Sequence, residues 1–305
     1  MTAGGVETCA LCAAALVAGR GARAHWRLLV CPRCGHMQSA GASSSAAAAE
    51  AAQRRHFGDE FAAGQDVWTA AFDRANARRL VRRLQSLMPA GRALEVGPGR
   101  GATLEALAAA GYVADGLDLS RAVAESAGRR AGVRVHVGTL QTYAKGPQQP
   151  SYDVVVMRHV LEHFTDPGEA LRAAGRLVAP GGWLHVAVPH AGAPQAAFPG
   201  WTGYQPYHLH YFSVRNLTRL IEGSGFRVQR CMTREPGSGW FNAIANSLAA
   251  RRVSRARGGT EPRAARHAYQ LTRLLAGASL WPLRLLQARL GYGEEIEIWA
   301  QRPVR

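Results

Sequence analysis

The sequence is almost without lysine: of its 37 basic residues, Lys145 is the single lysine and all others are Arg. Acidic residues are also few, 21 in all, so the formal net charge is +16. Aromatic residues make up only 8%. No apolar run reaches the roughly 18 uncharged residues that a membrane-spanning helix needs, so none is expected. Met1 to Glu7 lack a basic start followed by an apolar stretch, so no cleaved secretory signal is expected either. Both absences favour a cytoplasmic protein. Cysteines number five in 305 residues. A chain of this length buries a large core without disulfide staples. At 47% hydrophobic and 19% charged, the composition excludes a disordered or fibrous protein.

What is abundant is Arg and Ala, a pairing that matches the coding bias of a GC-rich genome. The charge is uneven, however. From Phe241 to Gly291 there are nine Arg and one Glu, a net of +8. Two readings of that segment stand open: a solvated basic face, or a surface for anions or lipid.

Four of the cysteines fall in two pairs, Cys9-x-x-Cys12 and Cys31-Pro32-Arg33-Cys34, with eighteen residues between them. This is zinc-ribbon spacing: two short knuckles bring four thiolates round one tetrahedral Zn²⁺. Four protein sulfurs leave no open coordination position, so the metal is expected to be structural. A unit this small has too little core to fold without it. Disulfides are the alternative, disfavoured in a cytoplasmic chain. Cys231 lies far off in an apparent strand and reads as a small core residue.

The predicted organisation is a ribbon over 1–37, a linker and helix over 38–67, and a main domain over 68–305. Ser43 to Ser45 offer caps for the linker helix. Apolar residues at helical spacing from Trp68 to Leu87 predict a helix. From Arg92 strands and helices alternate: strands at Ala93–Val96, Tyr112–Leu117, Val133–Val137, Tyr152–Met157 and Trp183–Val188. A turn is expected at Pro180-Gly181-Gly182. The strand at Phe226–Cys231 and the last strand, Glu295–Ala300, follow. This pattern predicts an α/β fold with a mostly parallel sheet covered on both faces. An insertion at about 238–291 reads as helices, with interruptions near Gly277 and Pro282. Its bland reading is packing on the main sheet; its sharper one is a substrate lid or an interfacial helix pair with Arg near lipid phosphate.

The run that carries chemistry is Glu95-Val96-Gly97-Pro98-Gly99-Arg100-Gly101. A strand delivers the chain to a turn without side-chain bulk, where backbone can approach a ligand. Asp118 follows Gly97 by 21 residues, at the end of the next strand, where a carboxylate can accept two hydrogen bonds from a ribose diol. Further on stand Tyr152-Asp153-Val154-Val155-Val156, His159-Val160-Leu161-Glu162-His163-Phe164 and Leu177-Val178-Ala179-Pro180-Gly181-Gly182. The third glycine comes one residue too early for a dinucleotide dehydrogenase. This ordered set, over about residues 68–303, resembles the class I S-adenosylmethionine-dependent methyltransferases.

The resemblance implies a Rossmann-like seven-stranded sheet whose final strand is antiparallel, preceded here by the zinc ribbon. It implies S-adenosylmethionine as cofactor. Gly97, Gly99 and Gly101 would form the cofactor turn, with Glu95 orienting the methionine part. Asp118 would bind the ribose, Leu119 would pack on the adenine, and Thr139 and Leu140 would edge it. Arg158 and His159 would lie near the amino acid portion. Val160-Leu161-Glu162-His163 and His208-Leu209-His210-Tyr211-Phe212-Ser213 are similar to segments of small-molecule methyltransferases. A hydroxyl or carbon acceptor needs a base, and His suits that near neutral pH. His208 and His163 are the candidates, although for His163 a structural hydrogen bond competes. Tyr204 and Trp201 are candidate walls of an acceptor pocket or parts of a structural cluster. A divalent metal at His159, Glu162 and His163 is a lesser alternative, suggested by relatives with E-x-x-E-H. The expected acceptor is a sugar, a lipid-linked compound or a secondary metabolite. The alternative is an RNA base methyltransferase that uses the ribbon and the basic surface to hold RNA. Low aromatic density in the ribbon, with only Trp26, speaks against it.

Overall fold

The computed structural model describes the chain apart from residues 1–6, 20–26, 43–45, 59–60, 62–66, 147–150, 236–238, 254–279 and 305. Its residues group into two compact units, one of Met1–Ala40, Val188–Leu217 and Cys231–Glu297, the other of Gly41–Ala187, Thr218–Arg230 and Ile298–Arg305.

Short strands β1 (Val17–Ala18), β2 (Leu28–Val30) and β3 (Met37–Ser39) pair in antiparallel succession. Helices α1 (Ala46–His56) and α2 (Val67–Leu87) follow. The next elements alternate as the sequence predicts: β4 (Arg92–Val96), α3 (Ala102–Ala109), β5 (Val113–Asp118), α4 (Arg121–Ala131), β6 (Arg134–Val137), α5 (Leu140–Ala144), β7 (Tyr152–Arg158), α6 (Pro167–Leu177) and β8 (Val178–Pro189). Then come β9 (His210–Tyr211), α7 (Val214–Gly223), β10 (Arg227–Arg234), α8 (Gly239–Val253), α9 (Trp281–Arg289) and β11 (Glu295–Gln301).

Seven strands form a mixed sheet in the order β10-β11-β8-β7-β4-β5-β6, flanked by helices. The pairs β4–β5, β4–β7, β5–β6 and β7–β8 are parallel. Gln229 meets Gln301 and Arg234 meets Glu295, so β10 and β11 run in opposite directions. Tyr152 and Val154 to Met157 on β7 have no exposed surface, as expected of a central parallel strand covered on both faces. Leu80, Val81 and Leu84 of α2 pack with Leu104 and Leu107 of α3 and with Ala93, Val154, Val156 and Trp299 of the sheet.

Local chemistry sets the boundaries. Ser120 caps α4 by accepting from the Val123 amide, Gly132 ends it at φ 66°, and Asp166 caps α6 by accepting from the Glu169 amide.

Three expectations need comment. The turn at Pro180–Gly182 does not end a strand: β8 runs through it from Val178, with Gly181 at φ +77° and a register slip opposite Tyr152 and Val154. A bulge absorbs the extra residues without breaking the ladder. Cys231 is exposed, not a core residue, because β10 is the edge strand of the sheet. The caps at Ser43 to Ser45, the aromatic Trp26 and the helix from 264 up to 279 lie outside the described residues. No helix among the described residues is long and apolar enough to cross a membrane.

Candidate active site

Gly97, Gly99 and Gly101 have φ of 67°, 54° and 80°, left-handed values that side chains rarely adopt. Their surroundings differ. A Cβ on Gly97 would meet Val160 Cγ2 at 2.9 Å, and one on Gly101 would meet the Ala127 backbone at 3.1 Å. Gly101 thus makes room for α4. Among the described residues, a Cβ on Gly99 would meet only the Phe61 ring, at 3.9 Å. Among those residues the middle glycine is the least crowded of the three, so a ligand can lie against its bare backbone.

Glu95 and Asp118 end the neighbouring strands β4 and β5. Burial pushes Glu95 up to about 7, while Arg158, the Thr103 hydroxyl and the Leu104 amide pull it back. Its Oε2 is buried and makes no hydrogen bond among the described residues. Burial likewise pushes Asp118 up to about 6, against the pull of the Ser120 and Leu119 amides and of Arg54. Asp118 Oδ1 accepts from the Ser120 amide at 2.7 Å. Two raised carboxyls beside a bare turn are what a ligand with hydroxyls and a positive group would satisfy.

Leu119 follows at the strand end, half-buried, and its carbonyl accepts from Arg54. Thr139 caps α5 through the Thr142 amide, and Leu140 beside it is buried. Arg158 closes β7. His159 adopts φ +50°, a left-handed value uncommon for a residue with a side chain, held by its amide donating to Ala187 O at 2.8 Å. His159 Nδ1 lies 3.8 Å from Glu162 Oε1. Glu162 and His163 are buried in a 3₁₀ turn, with ligand atoms close enough to share an ion. The His163 carbonyl accepts from Gln53 at 2.6 Å, and its ring stacks on Phe57 at 5.6 Å and 19°.

The sequence did not single out Gln53, Arg54, Phe57 and Phe61. They lie in the segment read as linker and helix, yet they line the glycine turn and its neighbours. Phe57 and Phe61 pack edge to face at 5.1 Å, and Arg100 lies 4.0 Å over the Phe61 ring. The signal was the change from an Ala run to Gln53-Arg54-Arg55-His56-Phe57.

In the other unit, Trp201, Tyr211 and Ala196 form a buried cluster with Leu28, Met37 and Tyr204. His208 is buried, and its Nδ1 lies 2.8 Å from Gly203 O. A carbonyl only accepts, so Nδ1 carries the proton and Nε2 the lone pair of the neutral ring. The four ribbon sulfurs all lie within 4.8 Å of one another. The pairs Cys9–Cys34, Cys12–Cys31 and Cys12–Cys34 are separated by 3.7, 3.5 and 3.7 Å. Zinc–sulfur bonds of about 2.3 Å at tetrahedral angles put sulfurs about 3.8 Å apart, so the set fits Zn²⁺.

Residues 68–230 match the family model described as a methyltransferase domain. The chain belongs to the methyltransferase domain family. Among curated proteins it is similar to the ubiquinone biosynthesis O-methyltransferases of Bordetella bronchiseptica, 38% identical over 97 residues, 30% of this chain and 40% of that protein. The corresponding protein of Ralstonia nicotianae is 39% identical over 106 residues, 33% of this chain and 44% of the other. This methyltransferase-family chain thus spans about two fifths of the length of these curated relatives. Of solved structures, an S-adenosylmethionine-dependent methyltransferase from Archaeoglobus fulgidus aligns with TM-score 0.52 at 16% identity, over 77% of this chain and all of the other. The 1,6-didemethyltoxoflavin-N1-methyltransferase of Burkholderia thailandensis, with bound 1,6-didemethyltoxoflavin and S-adenosylhomocysteine, aligns with TM-score 0.53 at 14% identity, over 94% and 100%. At such identities they show the shared fold.

Proposed function

We propose that this protein transfers a methyl group from S-adenosylmethionine to a small-molecule acceptor. The observation that carries the reading is the pair of carboxyls raised by burial, Glu95, with an oxygen that bonds to none of the described residues, and the half-buried Asp118, on adjacent strands beside the Gly99 backbone. Asp118 would hold the ribose hydroxyls and Glu95 the amino acid portion, with Arg158 and His159 beside it. Leu119, Thr139 and Leu140 would surround the adenine. When bound, the cofactor supplies a methyl group on a positively charged sulfur, already activated for displacement. The chain then needs to align the acceptor, exclude water and remove a proton. His208 Nε2, with its ring fixed through Nδ1 and Gly203, is the base of this reading for an acceptor hydroxyl. The proton leaving the acceptor oxygen would end on that nitrogen as the carbon–oxygen bond forms and the methyl carbon–sulfur bond breaks, its electron pair remaining on the sulfur. His163, held by Gln53 and Phe57, serves structure in this reading. The ribbon cysteines Cys9, Cys12, Cys31 and Cys34 hold a structural zinc.

The names of the curated relatives and of the toxoflavin enzyme support a small acceptor over RNA. Exposed Trp281, Leu283 and Leu286 on α9, and Leu290 just after it, favour a lipid-linked member of that class. Two substitutions test the assignment together. Asp118→Asn should weaken S-adenosylhomocysteine binding by roughly ten- to a hundredfold in calorimetry, the scale of lost hydrogen bonds to a charged group. His208→Ala should keep that affinity and lose most turnover on the acceptor. Unchanged affinity in the first, or unchanged turnover in the second, would remove the corresponding role.

A further inference from the structure

The ribbon sheet extends beyond the ribbon's own three strands. Its last strand, β3, pairs antiparallel with β9, Met37 opposite Tyr211 and Gln38 opposite His210, so β9 becomes the fourth strand of the ribbon sheet. The pairing continues past β9 towards the N-terminus: the Ser39 amide donates to Leu209 O and the Ser39 hydroxyl donates to His208 O, both at 2.9 Å. Both bonds fix the backbone of His208 and its neighbour. Side chains add to them. His36, two residues after Cys34, lies with its Nε2 3.1 Å from His210 Nδ1, both rings buried and stacked. Met37 and Leu28 pack on the cluster that contains Trp201, Tyr204 and Tyr211.

A third contact reaches the metal loop directly. Asn216, buried on the first turn of α7, donates from Nδ2 to the Cys34 carbonyl at 3.1 Å. Its Oδ1 accepts from the His36 amide at 3.2 Å and from the Ser213 hydroxyl at 3.3 Å. One amide side chain thus spans the second cysteine knuckle and the residue that follows the strand segment 208–212. The knuckle is itself a tight turn, with the Gly35 amide donating to Cys31 O and the Cys31 amide to His36 O. Four thiolates round a metal fix that turn. Without the metal the ribbon has few apolar contacts of its own to hold β3 in place.

We propose that the four-cysteine ribbon is the template on which residues 208–212 are laid, so that filling the metal site sets the position of His208, with Asn216 as the positioning residue that joins the two. Metal occupancy and the order of the His208 segment then stabilise each other, and by linkage a change in either must appear in the other. The proposal draws on the reading of His208 as an acceptor-side residue for its consequence in turnover. Its measurements do not use turnover, so either can fail alone.

The test takes the full chain, zinc-loaded and after chelation, and follows amide hydrogen exchange by mass spectrometry. Peptides covering 208–212 and 37–39 should lose protection on chelation and regain it when zinc alone is returned. Peptides covering 92–118 should keep theirs, and S-adenosylhomocysteine affinity should stay within about twofold. Asn216→Leu should lower zinc affinity, measured by competition with a chromogenic chelator, by roughly ten- to a hundredfold, the usual cost of losing a partner behind a metal ligand. Asn216→Asp, which retains an acceptor for the His36 amide, should fall between. Should Asn216→Leu fail to fold, the chelation arm decides without it. Protection of 208–212 that survives chelation overturns the proposal. So does a loss that spreads equally to 92–118, or zinc affinity unchanged in Asn216→Leu.

Discussion

Glu95 shows how much a single buried carboxyl can report. It sits at the end of β4 with 3% of its surface exposed. Its ordinary value is 4.5, and burial raises it to about 7. Between those values the folded protein holds a proton that the unfolded chain has released. Stability therefore falls as pH rises from about 4.5 to about 7, by up to about one proton's worth of slope for this group. Glu235, raised to about 7 chiefly by burial and then by Glu294, adds a second contribution of the same sign. Glu95→Gln should flatten part of the decline in urea-melt stability over this range and leave the Glu235 part. A slope that stays as steep in Glu95→Gln would show that Glu95 is ionised in the empty protein. The same burial that lowers stability near neutral pH readies the carboxyl for a positive ligand group.

The turn and the helices behind it act at the scale of elements. Gly99→Ala and Gly101→Ala carry the same left-handed penalty, about 1–2 kcal/mol. Gly101→Ala also presses a methyl against the Ala127 backbone, where α4 cannot give way cheaply. Gly101→Ala should therefore lower Tm further than Gly99→Ala. Gly99→Ala, whose methyl points into open space, should lose more S-adenosylhomocysteine affinity relative to its loss of stability. Equal effects of the two on both measurements would deny the difference in role.

This contrast marks what the sequence made legible. The glycine turn and Asp118 stand within about twenty-five residues of each other, and the alternation of β4 through β8 is read from each element's own few residues, so all are local signals. The bonds from Gln53 to His163 and from Arg54 to Leu119 cross 110 and 65 positions. The bond from His36 to His210 crosses 174. No periodicity encodes such contacts, so the linker helix was read without its partners at the glycine turn, and β9 as part of a motif rather than a ribbon strand. Cys231 was misjudged because alternation shows that a segment is a strand, not that it lies at an edge.

At the scale of the whole molecule, the +16 charge and the helical insertion come together at α9. Its inner side carries Arg284 and Gln287 beside half-buried Leu285 and Ala288. Gln287 bonds to Gln195, to Glu235 and to the indole of Trp240, while Arg284 donates to the Glu235 carbonyl at 3.0 Å. Its outer side shows Leu283, 64% exposed, and Leu286, 53%, with Trp281, 60%, at the helix start and Leu290, 63%, just past its end. A helix that faces water normally has these sides reversed. The nine Arg between 241 and 291 give the same segment an excess of positive charge. An apolar strip with an interfacial Trp in a basic segment suits an anionic bilayer surface, which would also present a lipid-linked acceptor. The protein should therefore float with vesicles of phosphatidylglycerol and phosphatidylcholine, float less in high salt, and stay behind with phosphatidylcholine alone. Leu283→Ser with Leu286→Ser should reduce the bound fraction at least about tenfold, given the transfer energy of two leucines. The pair should not disturb S-adenosylhomocysteine binding, since neither residue is near the glycine turn in sequence or belongs to its unit. Flotation indifferent to lipid charge would refute an anionic surface. A dimer in light scattering that the same pair dissolves would assign the strip to a second copy of the chain instead.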